Sequence, residues 1–117
     1  MYGIPSDLNL DRLIGQRINY VNVMENMTVI VFSDKSSIAI DSKIYINDKK
    51  GILSQWIQQT GWDNEKYKKI IGMYVKAYKI RSREELIINL EGDLRITIFD
   101  DSNQYESFHI YPEGIHI

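Results

Sequence analysis

Two six-residue stretches, Leu13-Ile14-Gly15-Gln16-Arg17-Ile18 and Ile70-Ile71-Gly72-Met73-Tyr74-Val75, lie 57 positions apart and share one pattern: apolar, isoleucine, glycine, two variable residues, then a β-branched residue. The likeness continues at the same offset, with Val21 over Tyr78 and Val23 over Ile80, so the period-2 alternation of a half-buried strand runs through both copies. Each copy is then interrupted by turn-like residues, Glu25-Asn26-Met27 in the first and positions 81–84 in the second. Beyond the interruption Val29-Ile30-Val31-Phe32 matches Ile87-Ile88-Asn89-Leu90 at an offset of 58. The polar reversals Ser33-Asp34-Lys35-Ser36-Ser37 and Glu91-Gly92-Asp93 follow, and Ile38-Ala39-Ile40 and Leu94-Arg95-Ile96-Thr97-Ile98 complete a third strand in each half. The pattern predicts two three-strand meanders, a pseudo-repeat over 13–46 and 70–98, with Ile44 to Ile46 as a further strand. Two copies fall short of the three or more that a solenoid needs.

The segment 51–71 between the halves has a different rhythm. Ile52, Leu53, Trp56 and Ile57 fall at i, i+1, i+4 and i+5, as on one helix face, and Gly61 is placed to end such a helix. Tyr67, Ile70 and Ile71 fit a second helical turn begun by Asp63 or Asn64 as N-cap. The expected class is α+β, mostly antiparallel β, with one or two short helices between the meanders. Terminal strands are expected over 105–117, around Pro112-Glu113-Gly114. At 117 residues one core is expected, hence a single domain over 1–117.

Composition narrows the function classes. A hydrophobic share of 44% with 26% charged residues belongs to a globular chain and not to a disordered one. No cysteine is present, which removes thiolate chemistry and disulfides and suits a reducing compartment. Pro5, Asp7 and Asp11 occupy the positions where a signal peptide needs a basic start and an unbroken apolar run, so a cytoplasmic location is expected.

Nothing in the sequence assembles a catalytic constellation. The glycines at 72, 92 and 114 are isolated from any phosphate-binding pattern, and no Gly-x-Ser-x-Gly occurs. His109, with Asp100, Asp101 and Glu106, has ligand-type neighbours without the spacing of a metal site. Adjacent carboxylates such as Glu84-Glu85 point to opposite faces of a strand and cannot act as a paired acid and base. The expectation is a binding protein, not an enzyme, with no cofactor and no metal. Trp56, Trp62 and Tyr67 are read first as core, with Trp62 the more exposed.

A nearly balanced total charge of −2 hides a division. Residues 65–83 carry seven lysines and arginines against Glu65, whereas residues 84–117 carry eight acidic residues against Arg95. If the acidic stretch forms one face, it attracts a basic protein and speeds encounter. Asp100, Asp101, Tyr105 and Glu106 are then the candidate contacts. If basic and acidic strands pair instead, the charges neutralise each other across the sheet. Lys76, Lys79, Arg81 and Arg83 with Tyr74 and Tyr78 support a weaker reading, a nucleic-acid surface, against which the acidic pI of 5.6 stands.

Three stretches together bear a family likeness: Leu13 to Ile18, the strand ending Val31-Phe32-Ser33-Asp34, and the Leu94 to Ile98 strand followed by Gln104-Tyr105-Glu106-Ser107-Phe108. They resemble small bacterial immunity-protein-like domains, with two β-meander halves, an opening apolar-x-Gly-x-x-Ile strand and a late Tyr-Glu-x-aromatic segment. The resemblance implies a protein that binds and neutralises a cognate protein toxin. A structural or ligand-binding module of unknown target is the alternative.

Overall fold

The computed structural model describes residues 3–101 and 107–117. Two antiparallel sheets enclose one core. The first contains β1 (Ile18–Val23), β2 (Thr28–Phe32), β3 (Ser37–Ile40), β10 (Phe108–Tyr111) and β11 (Ile115–His116), hydrogen-bonded in that order. The second runs β6 (Gly61–Trp62), β5 (Gly51–Ile57), β4 (Ile44–Asp48), β9 (Arg95–Phe99), β8 (Glu85–Leu90) and β7 (Val75–Ser82). The meander β1-β2-β3 lies in the first sheet and β7-β8-β9 in the second, where β4-β5-β6 forms a further antiparallel meander.

Alternation decides which face of each strand is buried. Along β2, Thr28, Ile30 and Phe32 turn inward while Val29 and Val31 are half-buried on the outer side. Ile38 and Ile40 of β3, and Phe108 and Ile110 of β10, continue that inner layer. Ile44, Ile46, Trp56, Leu86, Ile88, Ile96 and Ile98 face them from the second sheet, in one cluster. Burying each such side chain favours folding by about 1.5–3 kcal/mol.

The stretches that head the two halves meet where the sheets join. Arg17 bridges Tyr74 antiparallel. Around that bridge the backbone bonds come in pairs. The Gly15 N–H donates to the Val75 carbonyl (2.8 Å), and the Gly72 N–H to the Ile18 carbonyl (2.7 Å). Ile18 N–H donates to Met73 (2.9 Å), and Val75 N–H to Gln16 (2.8 Å). Each bond maps onto its mate by exchanging residues 57 apart. Both glycines sit at positive φ, +88° and +89°, where a β-carbon is strained; each follows a single 3-10 turn, Asp11–Leu13 or Lys66–Ile70. At the β2–β3 and β8–β9 reversals, Phe32 N–H donates to Ser36 and Leu90 N–H to Leu94, with Lys35 and Asp93 both at positive φ.

The expected helices between the halves do not form. Gly51–Ile57 is a strand paired to β4, and its burial alternates, with Ser54 and Trp56 inward and Ile52 exposed. The apolar spacing of this short run fits either element. The tight reversal decides: the Asp48 carboxylate accepts from the N–H groups of Lys50 (2.8 Å) and Gly51 (3.1 Å) and turns the chain back along β4. The second expected helix reduces to the 3-10 turn Lys66–Ile70, where the Asn64 side chain accepts from the Lys66 N–H (2.8 Å). The strands expected around Pro112-Glu113-Gly114 are β10 and β11, and β10 pairs with β3.

Candidate interaction surface

The outer face of the first sheet is laid out by strand register. One cross-strand row runs Tyr20, Val31, Ser37, Tyr111; the next runs Asn22, Val29, Ala39, His109, His116. None of these side chains is Asp, Glu, Lys or Arg. The centre is low, formed by valine, serine and alanine. Tyr20 stands on one side and Tyr111 on the other, 47% and 43% exposed. His109 and His116 lie directly across from each other, with ring centroids 4.3 Å apart, and His109 Nδ1 lies 3.3 Å from the Tyr111 hydroxyl. Protein–protein interfaces are enriched in tyrosine and depleted in Lys, Asp and Glu, a bias that Tyr20 and Tyr111 and the lack of charge share and the central Ser37 and Ala39 do not.

At the end of this face formed by the β2–β3 and β10–β11 turns, charge is paired. Arg12 donates through Nε and Nη2 to the two carboxylate oxygens of Glu113 (2.5 Å each), through Nη2 to the Tyr111 carbonyl (3.1 Å) and through Nη1 to Asp34 (3.4 Å). One guanidinium therefore ties the segment before Leu13 to the β2–β3 and β10–β11 turns. The hydrogen bond to Glu113 raises Arg12 above its ordinary pKa, and the same bond is the largest influence holding Glu113 below the usual carboxylate range. For Asp34 burial acts upward, but two hydrogen bonds from Ser36 and the charge of Arg12 outweigh it and lower the pKa.

Of the acidic residues expected to form a contact surface, Asp100 and Asp101 lie among the described residues, and they differ in exposure. Asp100 is fully buried: Ser107 Oγ donates to one carboxylate oxygen (2.7 Å) and the Gly3 N–H to the other (2.7 Å). Its carboxylate is turned into the fold, where it ties Gly3 and Ser107 to the end of β9. Asp101 is exposed and lines a cleft of about 310 Å³ with Asp41, Lys43, Gln58 and Gln59. Tyr105 and Glu106 lie outside the described residues. Other charges of the second half are paired, Arg81 with Glu85 (3.5 Å) within the half and Asp93 with Lys49 (3.3 Å) across to the β4–β5 turn. Among the described residues no three His, Cys, Asp or Glu side chains converge as metal ligands.

The aromatic candidates separate as well. Trp56 is core, while Trp62 and Tyr67 stack on each other at 4.5 Å and 16°. Of the residues weighed for nucleic acid, Tyr78 turns inward and its hydroxyl donates to Asp11 (3.0 Å), while Tyr74, Lys76, Lys79, Arg81 and Arg83 are exposed. No helix among the described residues is long and apolar enough to cross a membrane.

The uncharged face has a sequence signal, a gap in charge. Positions 18–24, 27–33, 36–40 and 107–112 contain no Asp, Glu, Lys or Arg. Counting charge clusters passes over such gaps, and only the register shows that they fall side by side. No family model matches the chain, and no curated protein or solved structure matches it either.

Proposed function

We propose that this is a non-catalytic binding protein of the bacterial immunity type, acting in the cytoplasm, which neutralises a cognate protein toxin by docking it on the outer face of the first sheet. The observation that carries the reading is the uncharged face with Tyr20, Tyr111 and His109 around a low centre. Large, rigid tyrosine rings contribute contact area at small entropic cost, and such interfaces carry a polar rim, which the paired charge supplies at one end of this face. Asp101, exposed at one end of the molecule, offers a basic toxin a point of electrostatic attraction.

Tagging the product of the adjacent open reading frame and co-purifying it with this protein tests the reading. A stoichiometric complex and rescue of a toxic neighbour are expected. Absence of both refutes it. A ligand-binding module is the second reading, favoured by the cleft beside Asp101.

The two meanders are further read as copies of one ancestral unit. What supports this is the exchange of hydrogen bonds between Gly15–Ile18 and Gly72–Val75 at a constant offset. On this reading the copies have since diverged in what their outer faces carry.

A further inference from the structure

Each meander contributes an outermost strand to its sheet, β1 to the first and β7 to the second. Such edges present unpaired backbone groups and invite another strand unless charge or proline blocks them. β7 is blocked by Lys76, Lys79 and Arg81. At the matching positions, 57 residues earlier, β1 and its continuation carry Asn19, Asn22 and Met24. From Ile18 to Met24 no residue is charged.

The direction of the open groups on β1 follows from its pairing. Met24 N–H donates to Met27, and the register continues inward through Asn22↔Val29 and Tyr20↔Val31. In an antiparallel ladder the intervening residues, Val21 and Val23, therefore aim their N–H and C=O groups away from β2. Among the described residues, the backbone cover on that side is at Ile18, by Gly72 and Met73. The open edge is thus Tyr20-Val21-Asn22-Val23-Met24, bounded by that crossing and by the Glu25-Asn26 turn. Three of its side chains are large, apolar and about half exposed: Tyr20 47%, Val23 47% and Met24 55%.

These five residues read nearly the same in both directions, Val-Asn-Val flanked by tyrosine and methionine. We infer that a second copy of this chain docks on β1, antiparallel, with Asn22 on the twofold axis, joining the two five-stranded sheets into one. This register sets Val21 against Val23 of the second copy twice over, and each pair exchanges both backbone hydrogen bonds through the outward groups. Asn22 meets Asn22 at the close, non-hydrogen-bonded position, about 4.5 Å between Cα atoms, where the two amides can bond. Tyr20 lies opposite Met24 at both ends, an aromatic–thioether contact that covers two of the three exposed side chains. An isologous pairing needs a self-complementary patch, and this strand is one. The contact is a single strand pair and so falls at the small end of protein interfaces, giving a concentration-dependent dimer. Tyr20 and Asn22 also belong to the flat face, so the association is tested on the protein alone.

Sedimentation velocity from roughly 10 μM to 1 mM tests the inference by mass action. The wild-type protein is expected to shift from monomer towards dimer across that range. Asn22→Lys, which installs the β7 residue and places like charges on the axis, is expected to weaken association by roughly tenfold or more. Val23→Pro removes an outward N–H from each copy, as proline is tolerated on an edge strand, and is expected to do the same. Lys79→Asn on β7 leaves the association of the wild-type protein unchanged. Circular dichroism of each variant establishes that it is folded. A monomer at every concentration, a dimer insensitive to both β1 variants, or a monomer that captures an extended strand of another protein overturns the inference.

Discussion

The two sheets present opposite outer surfaces although each is organised around the same meander. Position for position, at an offset of 57 or 58, Asn22 of the first corresponds to Lys79 of the second, Ser37 to Arg95 and Val31 to Asn89. The second face adds the Arg81–Glu85 pair and places the Lys43 ammonium over the rings of Tyr45 (5.2 Å) and Phe99 (4.5 Å). The first face has nothing comparable between Tyr20 and Tyr111. The inner faces, by contrast, keep the same chemistry, with Ile30 and Ile38 matched by Ile88 and Ile96. Fold and surface thus answer to different constraints. A core position favours apolar side chains of suitable volume, with the few buried polar ones such as Thr28 and Ser54 small, whereas an outer position is restricted only when something must pack on it.

The largest effect concerns the neighbours Asp100 and Asp101 and separates loss of surface from loss of fold. Asp100→Lys strips acceptors from Ser107 and Gly3 and buries an unpaired cation, and is expected to destabilise by roughly 3–5 kcal/mol. Asp101→Lys, at an exposed position, is expected to change stability by less than about 0.5 kcal/mol. Urea denaturation of both distinguishes them, and equal effects contradict the placement of Asp100.

Transplanting side chains between the faces comes next. Ser37→Arg puts the second face's charge into the centre of the first and is expected to weaken partner binding by about 2–4 kcal/mol, read by calorimetry on the purified complex. Arg95→Ser, the reverse change on the other sheet, is expected to leave binding within a factor of two or so. If both variants bind alike, the distinction between the faces carries no function.

The junction glycines test whether the halves are equivalent where they meet. Gly15→Ala and Gly72→Ala meet no neighbouring atom within 4 Å, so each pays only for the positive φ, about 1–2 kcal/mol. Equal losses in thermal or urea melts fit the paired hydrogen bonds; losses differing by more than about 1 kcal/mol break the equivalence.

The smallest effect concerns the rim. Asp34 and Glu113 have folded pKa values below their ordinary ones, so their contribution to stability is present above pH ~4, the unfolded range, and is lost as pH falls through the lower folded values. Arg12→Ala is expected to flatten the decline in stability between about pH 5 and pH 2. An unchanged slope in urea melts across that range means that the Arg12 cluster does not hold the two turns.

Much of the fold was legible in the residues. Alternation with polar reversals located β1 to β4 and β7 to β9, whereas the crossing of the halves at the two glycines is seen only in the structure. The segment 51–71 was misread because the four apolar residues of the seven-residue stretch Gly51–Ile57 fit a helix face and a strand alike; its pairing with Ile44–Asp48 is a tertiary fact that overrode the helical spacing. The site was less legible for a related reason. Asp100 and Asp101 look alike in sequence, and only burial distinguishes them. The flat face draws on β1, β2, β3, β10 and β11, separated by up to about ninety positions, so its lack of charge becomes visible only once register sets the strands side by side.

The most direct test of the account is amide chemical-shift mapping of the ¹⁵N-labelled protein titrated with the purified product of the adjacent open reading frame. The account predicts perturbations concentrated on Val29, Val31, Ser37, Ala39, His109 and Tyr111, with the outer residues of β8 and β9 unmoved. Perturbations centred on Thr97, Asn89 and Lys79, or saturation without change on the first sheet, would contradict it.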